Sequence, residues 1–383
     1  MDVARCLALV GMVATHVAAE RDADGSLSLA HQLASGRASA LFAVLAGVTL
    51  ALGTGGRVPA VGRERAARSA GFAVRALMVA LLGLALGGPD SGLAVILTYY
   101  GVLFLLGLPF VALRAGPLLL LATAWCVVAP VVSEVVRPLL PDRGFTSPDL
   151  FSLAEPGRLL AELLFTGYYP AVPWLTYLLV GMALGRLDLR RPAVAAAVAV
   201  SGLVVAVAAT AVSRLLTGSA ALRATLASEL PIPVRPDELM DSLAGGLPGT
   251  TPTGGSWQWL LTAAPHSATP FDLAATVGSS LLVVGVCLLA CGALPAVPGR
   301  AVEVVFGAGR MTLTLYSLHV VLKTPSVPPG DDPEDLARHV LVLLAIGALF
   351  AAARWRGPLE AAVGTVSTAA VAAVRRVGTS AHP

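Results

Sequence analysis

The stretch DVARCLALVGMVATHV, residues 2–17, is apolar enough for lipid, yet it carries Asp2 and Arg5 at one end and His16 at the other. At ~100° and ~1.5 Å per residue, a helix places Arg5 and His16 within ~20° of each other on one face and ~16 Å apart along the axis. Ionisable groups in a membrane helix usually turn to the bundle interior or a wet cavity. The stretch therefore predicts a polar track along one face of a buried helix. The rest of the chain supports the lipid reading: of 383 residues, 56% are hydrophobic and 13% charged, and the mean hydropathy is +0.80. Soluble domains hold about 25% charged residues. The fold class expected is an all-α, polytopic transmembrane helix bundle.

About ten spans are expected on a ~20-residue criterion, near 3–19, 38–53, 70–87, 92–112, 116–136, 170–185, 193–212, 273–294, 301–322 and 339–353. If these alternate, Arg57, Arg63, Arg65, Arg68, Arg114, Arg186, Arg190, Arg191, Arg300, Arg354, Arg356, Arg375 and Arg376 fall on one side. The excess of arginine in short loops marks that side as cytoplasmic and puts both termini there. The long loops 20–37, 137–169 and 213–272, and the shorter 323–338, are then external and carry most of the acids. Residues 1–353 read as one integral membrane domain, and 354–383 as a cytoplasmic tail. GGLPGTTPTGGSWQWL in the loop 213–272 predicts little regular structure. Trp257 and Trp259 are expected at the membrane interface, as is an aromatic belt of Tyr168, Tyr169 and Trp174. Val17-Ala18-Ala19 resembles a signal cleavage site, but Arg5, His16 and the spans that follow argue that the segment is kept.

A second polar span is FGAGRMTLTLYSLHVVL, residues 306–322. Arg310, Thr314 and Ser317 share one helical face, and Thr312, Tyr316 and His319 another. A helix polar on two faces belongs inside the bundle. Arg310 is expected roughly midway through it, and His319 toward the same end as His16. Arg37 opens the second span, where it reads equally as an interfacial anchor. Arg75, in the third span, reads as a snorkelling side chain. His31 and His266 read as loop histidines. Cys6, Cys126, Cys287 and Cys291 lie in apolar runs and read as small hydrophobes. No phosphate loop, GxSxG elbow, HExxH or Cys/His metal pattern is present, and nothing points to nucleic acid.

Arg5 and His16 on a first span resemble the membrane acyltransferase superfamily. The opening is similar to the heparan-α-glucosaminide N-acetyltransferase-like catalytic domain (DUF1624), whose first span often reads D-x-x-R-G-x-A-x-x-G-M. Asp2, Arg5, Ala8, Gly11 and Met12 match it, and Cys6 stands where the family usually has glycine. GRASALFAVLAGVTLAL resembles that family's second span. TGYYPAVPWLTYLLVGMALGRLDL, GAGRMTLTLYSLH and RGPLE (residues 356–360) are similar to bacterial DUF418 membrane proteins. The resemblance implies an enzyme of the bacterial plasma membrane that moves an acyl group, acetyl above all, from cytoplasmic acyl-CoA. The acceptor would be a hydroxyl or amino group on the far side, often of a sugar or envelope glycan. No permanently bound cofactor is implied; acetyl-CoA or another acyl-CoA is a substrate. Carried onto this chain, the essential pair is Arg5 and His16, with Asp2, Arg37, Arg310, Tyr316 and His319 as donor- or acceptor-site candidates.

The chemistry suits these residues. An imidazole can take the proton of an attacking hydroxyl or amine, or carry the acyl group itself. A cation in a low-dielectric cavity can hold a phosphate or a developing oxyanion. Two other readings stay open on the sequence: a transporter or exporter of an anionic or amphipathic solute, and a non-catalytic membrane protein on the same fold. Membrane lipids, acyl-CoA and a carbohydrate acceptor are the expected partners. Oligomeric state, a homodimer included, is open.

Overall fold

The computed structural model describes residues 1–144, 146–325, 327 and 332–377. Its helices, in chain order, are α1 (Asp2–Val17), α2 (Leu29–Ala34), α3 (Arg37–Gly53), α4 (Gly62–Gly87), α5 (Leu97–Gly107), α6 (Ala115–Val136), α7 (Pro156–Ala161) and α8 (Ala171–Gly185). They continue with α9 (Pro192–Leu216), α10 (Ala220–Ser228), α11 (Leu239–Ala244), α12 (Pro270–Gly292), α13 (Ala296–Val305), α14 (Thr312–Leu322), α15 (Leu336–Ala352) and α16 (Pro358–Val377). Local chemistry sets several starts. Pro192 and Pro270 occupy first-turn positions, where a missing N–H costs nothing. The Thr269 hydroxyl accepts the Asp272 amide at 3.1 Å and caps α12.

Helix α8 lies at the centre, buried over nearly its whole length. It packs on α3 with almost no spacing: a Cβ on Gly181 would land on the Val44 carbonyl, and one on Gly47 on the Leu178 carbonyl. Small residues let membrane helices approach this closely. Around this pair stand α1, α5, α6 and α12, and α14 packs on α1 and α15. The outer helices α4, α6 and α9 expose leucines and valines, among them Leu81, Leu120, Val200 and Val204, as a lipid-facing surface requires. Arg186, just past α8, is buried and donates to the carbonyls of Ala51 (2.8 Å), Gly56 (2.6 Å) and Val111 (2.6 Å). A cation thus closes the C-terminal end of α3, where its carbonyls lack helical partners.

The expected ten spans are not what forms. Among the described residues, six helical stretches are long and apolar enough to cross a membrane: Leu29–Gly53, Gly62–Gly87, Ala115–Leu139, Pro192–Leu216, Pro270–Gly292 and Pro333–Ala352. A seventh arises if Pro156–Thr166 and Ala171–Gly185, bent by 54° at their break, count as one span. Three expected spans fall short. Helix α1 has 16 residues, and α5 and α14 have 11 each, whereas ~30 Å of hydrocarbon needs about 20. The segment 301–322 is not one helix: a 3₁₀ turn at Gly307–Arg310 breaks it. Gly309 there rests on the Asp2 backbone so closely that no Cβ would fit. With ten alternating spans gone, the placement of both termini on the cytoplasmic side no longer follows.

Several loop and terminal segments are also more ordered or more buried than expected. The loop 213–272 contains α10, α11 and a 3₁₀ turn at Trp257–Leu261, joined by a small core of Leu222, Leu226, Leu239, Leu243 and Trp259. Trp259 is fully buried there and donates to Glu229 at 2.8 Å, while Trp257 is exposed. Tyr169 and Trp174 are buried edge to face at 5.1 Å, an interior aromatic cluster instead of a lipid-facing belt. Residues 358–377, in the segment read as a tail, form α16 along α4, with Arg375 on Glu64 at 2.6 Å.

Candidate functional site

The site is built on the polar face of α1. At its N-terminal end Arg5 donates to Asp2 (2.8 Å) and, across the helix interface, to the Thr49 hydroxyl of α3 (3.0 Å). Thr49 in turn donates to the Leu45 carbonyl at 2.9 Å, which fixes its lone pairs toward the arginine. Arg5 opens onto a cavity of about 130 Å³, between α1, α3, α4, α5 and α14, lined also by Met12, Thr49, Arg75, Tyr100 and Tyr316. Two guanidiniums therefore face one mainly apolar space, whose other polar groups are the hydroxyls of Thr49, Tyr100, Thr312 and Tyr316. Arg75 brings a buried Nε with no hydrogen-bond partner among the described residues. A desolvated, unpartnered N–H beside a cavity is costly unless a ligand completes it.

At the other end of α1, His16 meets His319 of α14. The rings are nearly parallel (6°), with centroids 5.3 Å apart, and His16 Nδ1 lies 3.1 Å from His319 Nε2. One of these nitrogens donates and the other accepts. His319 is fully buried, and its Nδ1 has no hydrogen-bond partner among the described residues. His339 of α15 stands edge-on to it at 5.6 Å. Lys323 donates to the His16 carbonyl at 3.0 Å, placing a cation at the C-terminus of α1. The histidine pair and the arginine cavity are neighbours along both helices. Met12 and Tyr316 line the cavity, and His16 and His319 lie one turn further on.

The fold thus brings together Asp2 with Arg5, and His16 with His319, with Tyr316 in the cavity wall between them. The Tyr316 hydroxyl accepts the Ile96 amide at 3.2 Å. Arg37 is exposed at the first turn of α3, donates to the Gln32 carbonyl and faces a different cavity, with Asp272. Arg310 is exposed in the 3₁₀ turn, away from the interior. Its expected mid-helix position assumed a continuous span, which the Gly307–Gly309 break removes. Arg75, expected to snorkel to the headgroups, lines the cavity instead, and sequence reasoning passes over His339 and Lys323. The signal for Arg75 and His339 was an ionisable residue within an apolar run; only packing distinguishes an inward from a lipid-facing one.

A fourth histidine borders the site. His266, in the loop before α12, takes a left-handed φ of 58° and packs on Tyr168 (5.1 Å) and Tyr169 (5.8 Å). Burial pushes its pKa down from 6.5 to about 4. The folded state then binds fewer protons than the unfolded state between these values, so stability is complete above pH 6.5 and falls as pH drops toward 4. His266→Gln is expected to flatten that acid loss in a pH series of thermal unfolding midpoints. An unchanged slope would show that other groups set it.

A family model described as heparan-alpha-glucosaminide N-acetyltransferase, catalytic, matches residues 1–216. The match holds α1, α3, α4 and α5, and so Arg5, His16, Thr49 and Arg75, whereas His319 and Lys323 lie beyond it. Neither the curated proteins nor the solved structures contain a match. This multi-pass membrane bundle, with its first-helix Arg5 and His16 facing the interior, belongs to the heparan-alpha-glucosaminide N-acetyltransferase catalytic family.

Proposed function

We propose that the protein is an acyltransferase of the bacterial plasma membrane. It takes an acyl group, in the first instance acetyl, from cytoplasmic acyl-CoA and delivers it to a hydroxyl or amino group of a sugar or envelope glycan on the other side. The observation that carries this reading is the single polar face of α1, with a two-arginine cavity at one end and a paired histidine one turn beyond that cavity. The Arg5 end of the bundle also gathers Arg57, Arg63, Arg68 and Arg375, which suits a cytoplasmic face. GAGRMTLTLYSLH and RGPLE support a DUF418 affinity within the family.

In this reading Arg5 and Arg75 hold the anionic donor. His16 donates from Nδ1 to His319 Nε2 and keeps Nε2 free as base. His319 then orients the ring and accepts from the imidazolium, as the third member of a hydrolytic triad does. The acceptor O–H or N–H gives its proton to His16 Nε2 while its oxygen or nitrogen bonds to the thioester carbonyl carbon. The C–S bond breaks, and the CoA thiolate leaves with the proton from His16. Lys323, at the carbonyl of His16, holds the last turn of α1 in place.

The test is acetyl-CoA binding by titration calorimetry on the purified protein. Arg5→Gln and Arg75→Gln are each expected to weaken binding about tenfold or more, as for loss of a charged hydrogen bond. Unchanged affinity in both variants would remove the donor assignment. Flux of an anionic solute that needs no acyl-CoA would favour a transporter.

A further inference from the structure

The cavity that Arg37 faces lies where three long helices end together. Arg37 opens α3, Arg214 is in the last turn of α9 and Asp272 is in the first turn of α12. Arg5 lies toward the opposite end of α3, on Thr49. The cavity measures about 320 Å³, and Leu226, Leu239 and Leu243 of the small loop core close one side of it. A narrower groove of about 150 Å³ runs between α1 and α12 over α3, lined by Leu7, Gly11, Leu41, Ser279 and Val283. Ser279 and Val283 stand about two and three turns along α12 from Asp272. Arg37 lines both spaces, so a polar cavity and an apolar groove meet at one guanidinium.

The charges in the cavity do not balance. Arg37 and Arg214 against Asp272 leave one positive charge. Asp272 is buried, accepts the Ala268 amide at 3.1 Å and lies within electrostatic reach of Arg37. Arg214 makes no hydrogen bond and no ion pair among the described residues. Arg37 gives one N–H to the Gln32 carbonyl, out of the five a guanidinium offers. The groove is the reverse. Ser279 and Ser280 turn their hydroxyl hydrogens back onto the Thr276 carbonyl, at 3.0 and 2.7 Å. Beyond Arg37 the groove therefore offers no free side-chain donor, and its rim is open at the exposed Leu7 and Leu33.

Depth selects the ligand. Leu29–Gly53, Pro192–Leu216 and Pro270–Gly292 are each long and apolar enough to cross a membrane. Their shared ends stand at the edge of the hydrocarbon, where lipid phosphates lie. A soluble anion would leave the groove empty, and a lipid without net charge would leave Arg214 unmatched. We propose that this composite site binds an anionic phospholipid, with its phosphate between Arg37 and Arg214 and one acyl chain in the groove between α1 and α12. Guanidinium N–H groups match phosphate oxygens in pairs, and basic pockets between membrane helices hold acidic headgroups in this way. Leu7 and Gly11 of α1 form one wall of the groove, so a seated chain braces the helix that carries His16. The binding does not depend on the acyltransferase reading.

The experiment is native mass spectrometry of the delipidated full chain in detergent, titrated with phosphatidylglycerol, phosphatidylcholine or glycerol 3-phosphate. Phosphatidylglycerol is expected to bind about fivefold or more tighter than phosphatidylcholine, the attraction of one basic side chain for an anionic lipid. Arg214→Gln changes an exposed side chain with no partner to lose, so folding is not at stake. It is expected to weaken phosphatidylglycerol about tenfold, the scale of a hydrogen bond to a charged group. Arg235→Gln, outside the cavity and paired with Asp237, is the control and is expected to bind as the wild type does. Ser279→Trp fills the groove, leaves both arginines in place and is expected to weaken the lipid too. Equal binding of phosphatidylcholine, or unchanged affinity in Arg214→Gln, overturns the proposal. Glycerol 3-phosphate binding as tightly as the lipid, or unchanged affinity in Ser279→Trp, would make this a site for a soluble phosphate and overturn it as well.

Discussion

Replacing His16 by alanine is expected to lower acyl transfer from acetyl-CoA by about 10²–10⁴-fold, the usual contribution of a positioned general base. Acetyl-CoA binding should stay within about twofold, because His16 lies one turn beyond the cavity that Arg5 and Arg75 line, where no interaction of charged-hydrogen-bond strength is lost. Single-turnover release of CoA, run beside a binding titration, measures both. Equal turnover in the variant would end the assignment of His16. His319→Ala should act in the same direction but less strongly. It leaves the base in place and removes its partner at 3.1 Å. The pair's coupling is therefore read from the double variant: if His319 works through His16, it should be no slower than His16→Ala alone.

Gly181→Val is expected to give the largest loss of stability in the chain. The first carbon of any side chain there falls on the Val44 carbonyl of α3, and Gly47 opposite has no room to yield. Overpacking a tight interior typically costs 1–3 kcal/mol, and a clash with backbone on both helices puts this case at about 3 kcal/mol or more. Thermal unfolding in detergent, with gel-filtration recovery, reads the effect. Gly116, which has open space around its Cβ position, is the matched control. A Gly181→Val protein with wild-type unfolding would mean that α3 and α8 are not in contact.

The sequence made the polar face of α1 legible because Arg5 and His16 are separated by close to a whole number of helical turns, and helix geometry does the rest. It also made His319 legible as an interior residue. Its partner was not legible, since the pairing of α1 with α14 joins residues 303 positions apart. Arg75 shows the same limit from the other side. A long cation halfway along an apolar helix can reach either the headgroups or a cavity, and composition does not choose. The span count failed for a related reason. Apolar length was read as transmembrane length, but α5 and α14 are short interior helices whose apolar flanks continue as turns and loops.

Glu360 accepts the Leu313 amide (2.7 Å), the Thr314 amide (3.2 Å) and the Thr314 hydroxyl. The open first turn of the helix that bears His319 is thus finished by a residue synthesised 46 positions later. During insertion, α1 with its Arg5 and His16 is made first and waits with its polar face unmatched. α14 then brings His319 to His16, and its own first-turn amides stay unsatisfied until Glu360 of α16 arrives. The order of synthesis therefore keeps the histidine pair unassembled until most of the chain has been made, and a partly made chain carries Arg5 and Arg75 without it.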